Sequence, residues 1–477
     1  MSMLFRLFTL LLIAGSAFAD KPNFVFMIAD DISWDDVGYA GHPTIKTPNI
    51  DRLAKNGMIF NNAYLTTSSC SPSRCSIISG RYPHNMGAPE LHTTLPKGQV
   101  LFPKLLQEAG YYTALSGKQH MGGYASTAFD KESKGKGPGK EADWIEFLQK
   151  RPKNKPFFFW FASTDAHRNW AFDDKAPRYK PEDVVVPPYL IDGPKTREDL
   201  CGYYHEVSRF DHYVGAVANE LKTQGVLDNT LIIIVADNGR PLPRCKTRLY
   251  DSGIKTPFVA HWPERVKPAV TDSLISVIDI AATLVELGGA KKDERIQGVS
   301  FTPILDSPKA ITRDVVFAEH NWHVYKNHER MVRMGHWLYI KNNFPAQQNL
   351  CKEAFIGGAG EEIYEMQKAG KLTEAQKNLF WNPCPEEELY HVGKDPHQLN
   401  NIADNAENAA VMKSMRTLLA MWSQQTGDTV PDNPTPDRDT RPGGPKKERK
   451  RHRRGDYPGA SRNATQINHR GPIRLLD

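Results

Sequence analysis

Six cysteines in 477 residues are too few to scaffold a chain of this length. Cys70, Cys75, Cys201, Cys245, Cys351 and Cys384 form no C-x-x-C pair, so a thiolate zinc site has no support in the sequence. Cys351 and Cys384 are free to pair in an oxidising compartment. No internal repeat is visible. Beyond the first twenty residues no apolar run approaches the length of a membrane span. One glycosylation sequon occurs, Asn463-Ala464-Thr465. Evenly spread charge is also lacking. The net charge is +6, but 12 Lys/Arg against 6 Asp/Glu lie after residue 431, which leaves 49 of each sign in the body. The isoelectric point therefore says nothing about what the body binds.

The chain opens with Arg6, an apolar run to Ile13 and Ala17-Phe18-Ala19, the layout of an export signal over residues 1–19. The mature protein is then soluble, starts near Asp20, and is secreted or periplasmic. The scarcity of sequons favours bacterial export. The length allows two or three domains. The patterning divides the chain into a larger domain over 20–325, a smaller α+β domain over 326–431, and a basic tail over 432–477 without fixed structure. The basic run Lys446 to Arg454 reads either as a solvated tail or as an electrostatic attractor of polyanionic glycan.

Apolar runs alternate with helical patterns, which predicts an α/β fold around a parallel sheet. Four runs are apolar on both faces, as buried parallel strands are: Asn23 to Ala29, Tyr112 to Leu115, Phe157 to Ala162 and Leu231 to Ala236. They stop at Asp30-Asp31, at Gly117-Lys118-Gln119-His120, at Asp165-Ala166-His167 and at Asp237-Asn238. Ligands of open α/β sheets bind outside the carboxyl ends of the strands, so four segments deliver ionisable groups to one sheet edge. Helices are predicted from Thr47-Pro48 to Gly57, over Phe102 to Ala109, and along the stripe Tyr203, Val207, Phe210, Val214, Val217 and Leu221. Met331 to Lys341 alternates as one half-exposed strand, and Ala406 to Gln425 reads as a helix.

Asp30, Asp31, Asp237 and Asn238 make an oxygen-only ligand set, which suits a hard cation, Ca2+ before Mg2+. Such an ion would bind an anionic substrate oxygen and acidify a nearby hydroxyl. As carboxylates that merely cap helices, two such pairs would be a coincidence.

The run Cys70-Ser71-Pro72-Ser73-Arg74, continuing to Gly80-Arg81, resembles the signature of the type I sulfatases: a Cys or Ser, Pro two on, Arg four on, then a short helix ending at Gly. The resemblance covers roughly residues 22 to 430. It implies the alkaline-phosphatase-like α/β/α sandwich with a smaller C-terminal α+β domain. It also implies that Cys70 is oxidised during export to formylglycine, whose hydrate attacks sulfur and then expels sulfate. A helix N-terminus at Cys70 would favour an anion, and Arg74, one turn on, could hold the diol.

The family's calcium sits on residues matching Asp30, Asp31, Asp237 and Asn238, with an oxygen from position 70; Asp237 is also a candidate acceptor for the nucleophile's proton. By the same resemblance Lys118 binds diol and sulfate, and His120 deprotonates the second hydroxyl. His167 protonates the leaving group, and Lys246 binds sulfate, with Arg248 a neighbour open to confusion with it. Asp237 to Pro243, Ser68 to Arg74, Glu388-Leu389-Tyr390 and Asp395-Pro396-His397 look nearest to the heparan N-sulfatase (sulfamidase) branch. Lys246 stands where that branch can have Arg, and Asp251-Ser252-Gly253 departs from the usual Glu-Gly-Gly.

The resulting expectation is a hydrolase of sulfate esters or sulfamates on a sulfated carbohydrate such as a glycosaminoglycan. It would depend on formylglycine-maturation machinery and have no nucleic-acid partner. His320, Trp322 and His323 are expected at the domain junction, either lining a sugar subsite or packed as a strand. A phosphate or phosphonate monoester hydrolase on the same scaffold, or a non-catalytic sulfated-glycan binder, are the alternatives.

Overall fold

The computed structural model describes residues 21–347, 350–438 and 453–475. The export signal at 1–19 and most of the basic run, 446–452, lie outside the described residues. The strands are β1 (Asn23–Ala29), β2 (Met58–Tyr64), β3 (Tyr112–Gly117), β4 (Lys131–Ser133), β5 (Phe157–Ala162), β6 (Thr230–Ala236), β7 (Val259–His261) and β8 (Ala269–Ser276), then β9 (Val315–His320), β10 (Glu329–Met334), β11 (Trp337–Asn342) and β12 (Glu387–His391).

The first eight strands form one sheet in the order β4-β3-β5-β1-β6-β7-β2-β8. Neighbours are parallel, as the two-faced apolar runs predict, except β7, which is antiparallel to both β6 and β2. Strand β1 shows why the sheet is sandwiched. Phe24, Phe26 and Ile28 point into one core with Ile77, Leu106, Ile280 and Leu284 from the helices on that side. Val25, Met27 and Ala29 point into the other with Leu53, Trp144, Val207, Phe210 and Val214. Burying a large apolar side chain stabilises by about 1.5–3 kcal/mol, and a strand buried on both faces gains this at every residue.

The helix over Pro48–Lys55 starts at the expected proline and is capped by Asn56, one residue before Gly57. The helix at Phe102 closes at Ala109. The long stripe is a 30-residue helix, Pro194–Thr223. The signature forms the helix Cys70–Ser79, stopped by Gly80 in the left-handed region at φ 64°.

Four expectations for the C-terminal part are corrected. Met331 to Lys341 is not one strand but a hairpin, β10 and β11, turned at Gly335 with φ 53°. The smaller sheet, in order β12-β11-β10-β9, begins at Val315, ahead of the expected boundary at 325. One face of it joins the main core through Val316, Ala318, Met331 and Leu338. The other packs Phe317, Val332 and Leu389 against Met415 and Trp422 of the helix Ala409–Thr426. It is therefore a layer of one body. Cys351 and Cys384 are both buried and form no disulfide with each other.

The tail is the fourth correction. Residues 453–475 are packed. Arg81, fully buried, donates Nη1–H to Asn468 Oδ1 (2.8 Å) and Nη2–H to the carbonyls of Ile467 (2.9 Å) and Thr465 (3.2 Å). Asn85 Nδ2 donates to Ala464 O at 2.7 Å. A basic, polar segment holds its place because it supplies carbonyls that a buried guanidinium needs.

Arg81→Ala should destabilise the protein by about 2–4 kcal/mol in urea unfolding, the cost of stranding buried acceptors. Deleting 453–477 should cost at least as much. Unchanged midpoints in both would mean that the tail only rests on the surface.

Candidate active site

Strands β3, β5, β1 and β6 are consecutive and in register. Ala29 stands opposite Ala236, and Gly117 opposite Ala162. Their carboxyl ends therefore lie side by side, and the residues that follow meet. Gly117 is required here. Its φ is 107°, and a Cβ would lie 1.8 Å from Ala162 O. Just beyond it Lys118 turns toward β1.

The cluster is a buried alternation of charge. Lys118 Nζ contacts Asp30 Oδ2, and Arg74 Nη2 lies 3.9 Å from Asp30 Oδ1. Arg74 donates Nε–H to Asp237 Oδ2 (2.7 Å) and Nη1–H to Lys118 O (2.8 Å). Lys246 Nζ lies 2.9 Å from Asp31 Oδ2, and Asn238 bonds Asp31 Oδ1. The Asp31 N–H donates to Asp237 Oδ1 at 3.2 Å. Burial alone raises a carboxyl pKa. At Asp30 that rise is outweighed by Lys118, His167, Arg74 and Lys246, and the group is held below its usual range. At Asp237 burial prevails over Arg74, and the carboxyl is pushed up to about 6. Asp31 is also raised, by burial first and against Lys246.

Cys70 sits at the N-terminus of its helix, 2 % exposed. Its Sγ and the nearest carboxylate oxygens of Asp30 and Asp237 all lie within 4.8 Å of one another. Burial pushes the thiol up to about 12 in spite of Lys246 and Lys118. As a thiol, Cys70 is thus a poor nucleophile. Asp30 Oδ1 and Asn238 Oδ1 are buried and without hydrogen-bond partners among the described residues. Unpaired oxygens among carboxylates fit a hard cation.

Two histidines border the cluster. His120, with φ 54°, faces His92 at 5.0 Å between ring centroids, and its Nδ1 is buried and unpaired. Burial, then Lys118 and Arg74, lower its pKa to about 2, so it is a neutral acceptor. His167 is the opposite case. Lys246 and burial press its pKa down, but Asp31, Glu353 and Asp30 win and raise it. Its Nδ1 lies 2.6 Å from Arg168 O and its Nε2 2.9 Å from Glu353 Oε1. Both partners only accept, so both ring nitrogens carry hydrogen, as in imidazolium.

The structure thus brings Asp30, Asp31, Cys70, Arg74, Lys118, His120, His167, Asp237, Asn238 and Lys246 together. Arg248 leaves the site: it lies over the Tyr250 ring and points toward Glu329, so of these two cations Lys246 is the one in the pocket.

The junction residues do not form a sugar subsite. His320 is fully buried, with Nδ1 3.0 Å from Glu329 Oε2. Trp322 is buried, donates Nε1–H to Pro436 O (2.9 Å) and is covered by Arg454 at 4.3 Å from the ring centroid. His323 reaches the site from behind. Its Nε2 lies 2.8 Å from Glu353 Oε2, and its Nδ1 2.7 Å from Ser69 Oγ. Burial, against the pull of Glu353, lowers it to about 4. A neutral His323 then donates to Glu353 and accepts from Ser69.

Glu353 was missed in the sequence. It lies on a four-residue 3-10 turn, Lys352–Phe355, in no recognisable motif. Lys246, His167 and His323 hold its carboxyl well below the usual range despite burial. An open cleft of about 610 Å³ adjoins this turn, lined by Arg168, Trp170, Phe172, Asp199, Ile356 and Gly357 among others.

The profile of the family described as Sulfatase matches residues 22–140 and 141–290. A second, described as N-sulphoglucosamine sulphohydrolase, C-terminal, matches 245–341. An ulvan-active sulfatase of Formosa agariphila is 29% identical over 465 residues, covering 86% of this chain and 76% of its own. The human N-sulphoglucosamine sulphohydrolase is 29% identical over 475 residues, covering 88% and 93%. A solved structure in complex with its substrate D-glucosamine-2-N,6-O-disulfate superposes with a TM-score of 0.65 at 22% identity, covering 85% of this chain and 98% of that one. At that identity the likeness is one of fold: the mixed sheet between helical layers, with the smaller antiparallel sheet attached.

The Cys70 thiol should be alkylated by iodoacetamide at pH 8 at least ~100-fold more slowly than a free model thiol, since its thiolate is scarce and buried. Mass spectrometry of the Cys70 peptide over time reads the rate. A rate near that of the model thiol would contradict the burial described.

Proposed function

Because the chain belongs to the sulfatase family and is a sulfuric ester hydrolase, we propose that it hydrolyses sulfate esters or sulfamates of a sulfated carbohydrate after export, with position 70 matured to formylglycine and a calcium ion in the carboxylate cluster. The observation that carries this reading is the seating of Cys70, at a helix N-terminus, against Asp30 and Asp237 with Arg74, Lys118 and Lys246 around them. Asp30, Asp31, Asp237 and Asn238 would hold the ion. The ion would add positive charge for a sulfate oxygen, and the aldehyde hydrate at 70 would supply the attacking hydroxyl.

This chain's own residues do the rest. Arg74, locked by Asp237 and the Lys118 carbonyl, holds the side chain at 70 in place. Lys118 and Lys246 bind the sulfate oxygens; both are already balanced by carboxylates, so an arriving anion meets directed charge. His120, neutral with a free Nδ1, accepts the proton of the second hydroxyl. His167, charged, donates to the leaving oxygen or nitrogen.

The carbohydrate reading draws on relatives described as ulvan-active and as acting on N-sulphoglucosamine, and on the open cleft beside His167. Phe172, 42 % exposed on that cleft with Arg178 stacked 3.9 Å from its ring centroid, offers an aromatic edge and a cation to a sugar ring. Export to the periplasm or beyond, and a maturation enzyme as partner, complete the proposal.

Protein exported by a maturation-competent host should yield a residue-70 peptide with the mass of aldehyde in place of thiol. It should turn over aryl sulfates faster than the paired aryl phosphates. A chelator should remove most of that activity and lower the Tm, and calcium should restore both. An intact thiol in a host that matures a control sulfatase, or a preference for phosphate, would reverse the assignment.

Phe172→Ala should raise KM for a sulfated oligosaccharide roughly three- to tenfold, the worth of one aromatic contact, and leave KM for a small aryl sulfate unchanged. Equal effects on both substrates would remove the cleft from the reading.

A further inference from the structure

One carboxylate in the pocket has no task in the reaction. Glu353 Oε1 lies 2.9 Å from His167 Nε2 and 3.3 Å from Lys246 Nζ, while Oε2 lies 2.8 Å from His323 Nε2. Lys246 and His167 are the groups assigned above to the sulfate and to the leaving atom. A substrate that uses both must take positions that Glu353 Oε1 now fills. The anion at this spot is the protein's own.

Its mounting fits a group that gives way. Lys246 and His323 are fully buried, but the Glu353 side chain is 27 % exposed. It stands on a short turn rather than in a strand, and Ile356 and Gly357 of the same segment line the open cleft. Lys246 keeps Asp31 as a second partner. Glu353 is the one hydrogen-bond partner of His167 Nε2 among the described residues, so this contact, with the Nδ1 bond to Arg168 O, decides where its N–H points. Behind it the chain Ser69–His323–Glu353 runs to the N-cap of the helix that carries Cys70. The aim of the proton donor and the seat of the nucleophile are thereby fixed by one network.

We infer that Glu353 is a positioning residue that stands in the substrate's place, holding His167 and Lys246 aimed into the pocket and yielding both to the incoming sulfate ester or sulfamate. This rests on the reading of the pocket as a sulfate site. No covalent bond changes. His167 Nε2–H passes from Glu353 Oε1 to the bridging oxygen or nitrogen, Lys246 turns to a sulfate oxygen, and the freed carboxylate turns to the cleft. Two opposed effects follow. Glu353 competes with anions, so its loss tightens their binding. It also keeps His167 directed and charged, so its loss slows substrates whose leaving group needs a proton.

The test compares wild type with E353Q and E353D. Glutamine keeps the shape and removes the charge. Aspartate keeps the charge and withdraws by one methylene, which separates displacement from simple repulsion. In the unprocessed Cys70 form, inorganic sulfate titrated by calorimetry should bind roughly three- to tenfold tighter in both variants. In the matured enzyme both should lose about 10- to 100-fold in kcat on a sugar sulfate. Both should lose less than about threefold on 4-nitrophenyl sulfate, whose leaving group departs unaided. Sulfate affinity that is weaker, unchanged or unmeasurable in either variant, or equal losses on both substrates, would overturn the inference. A wild type that cleaves no sulfate ester would instead sink the proposed function, and the sulfate titration would still judge Glu353.

Discussion

Three carboxylates, Asp30, Asp31 and Asp237, stand buried at the ends of two adjacent strands, and the site is organised by the need to keep them charged. Isolated, each would neutralise rather than stay ionised away from water. Arg74, Lys118 and Lys246 each contact one or two of them, and each of these cations comes from a different segment. The cations in turn fix what surrounds them. Arg74 ties the Cys70 helix to β6, and Lys118 ties the loop after β3 to β1. Lys246 draws in Glu353 and, through it, two histidines. Breaking one member of such a set leaves a buried charge uncompensated, which costs far more than the pair is worth intact.

Much of this was legible in the sequence, for a definite reason. Runs such as Phe157 to Ala162 are apolar at every position because both faces of the sheet are covered, and their polar stops mark the carboxyl edge where parallel strands in register must end together. Asp30, Lys118, His167 and Asp237 could therefore be placed at one edge before any coordinates. What could not be read came from segments without period or motif. Glu353 sits on a turn whose neighbours give no signal. His320 and Trp322 carry residue types common in sugar sites, but their burial depends on the tail and on β10, which no local pattern announces. The tail misled because its composition is that of a disordered segment; its order comes from partners far away in the chain, Arg81 and Asn85 among them.

The small sheet shows the same dependence on distance. Its inner face shares a core with β2 and β8, and its edge region supplies His323. The pocket is thus assembled from both sheets, and the cleft beside it is bounded by residues near 170 and near 356. Variation in the 350–357 segment can alter what the cleft admits without touching the carboxylate cluster.

The packing of residues 464–468 around Arg81 and Asn85 also has a meaning in time. Cys70 is almost inaccessible once folded, and Arg81 directly follows Gly80, which stops the helix that carries it. Asn85 and Arg295 supply some of the acceptors that Arg81 requires, but the rest, at 465–468, lie nearly four hundred residues further along. A chain emerging from a ribosome presents Cys70 long before those acceptors arrive. Chain order therefore leaves the surroundings of Arg81 incomplete until nearly the whole chain has been made.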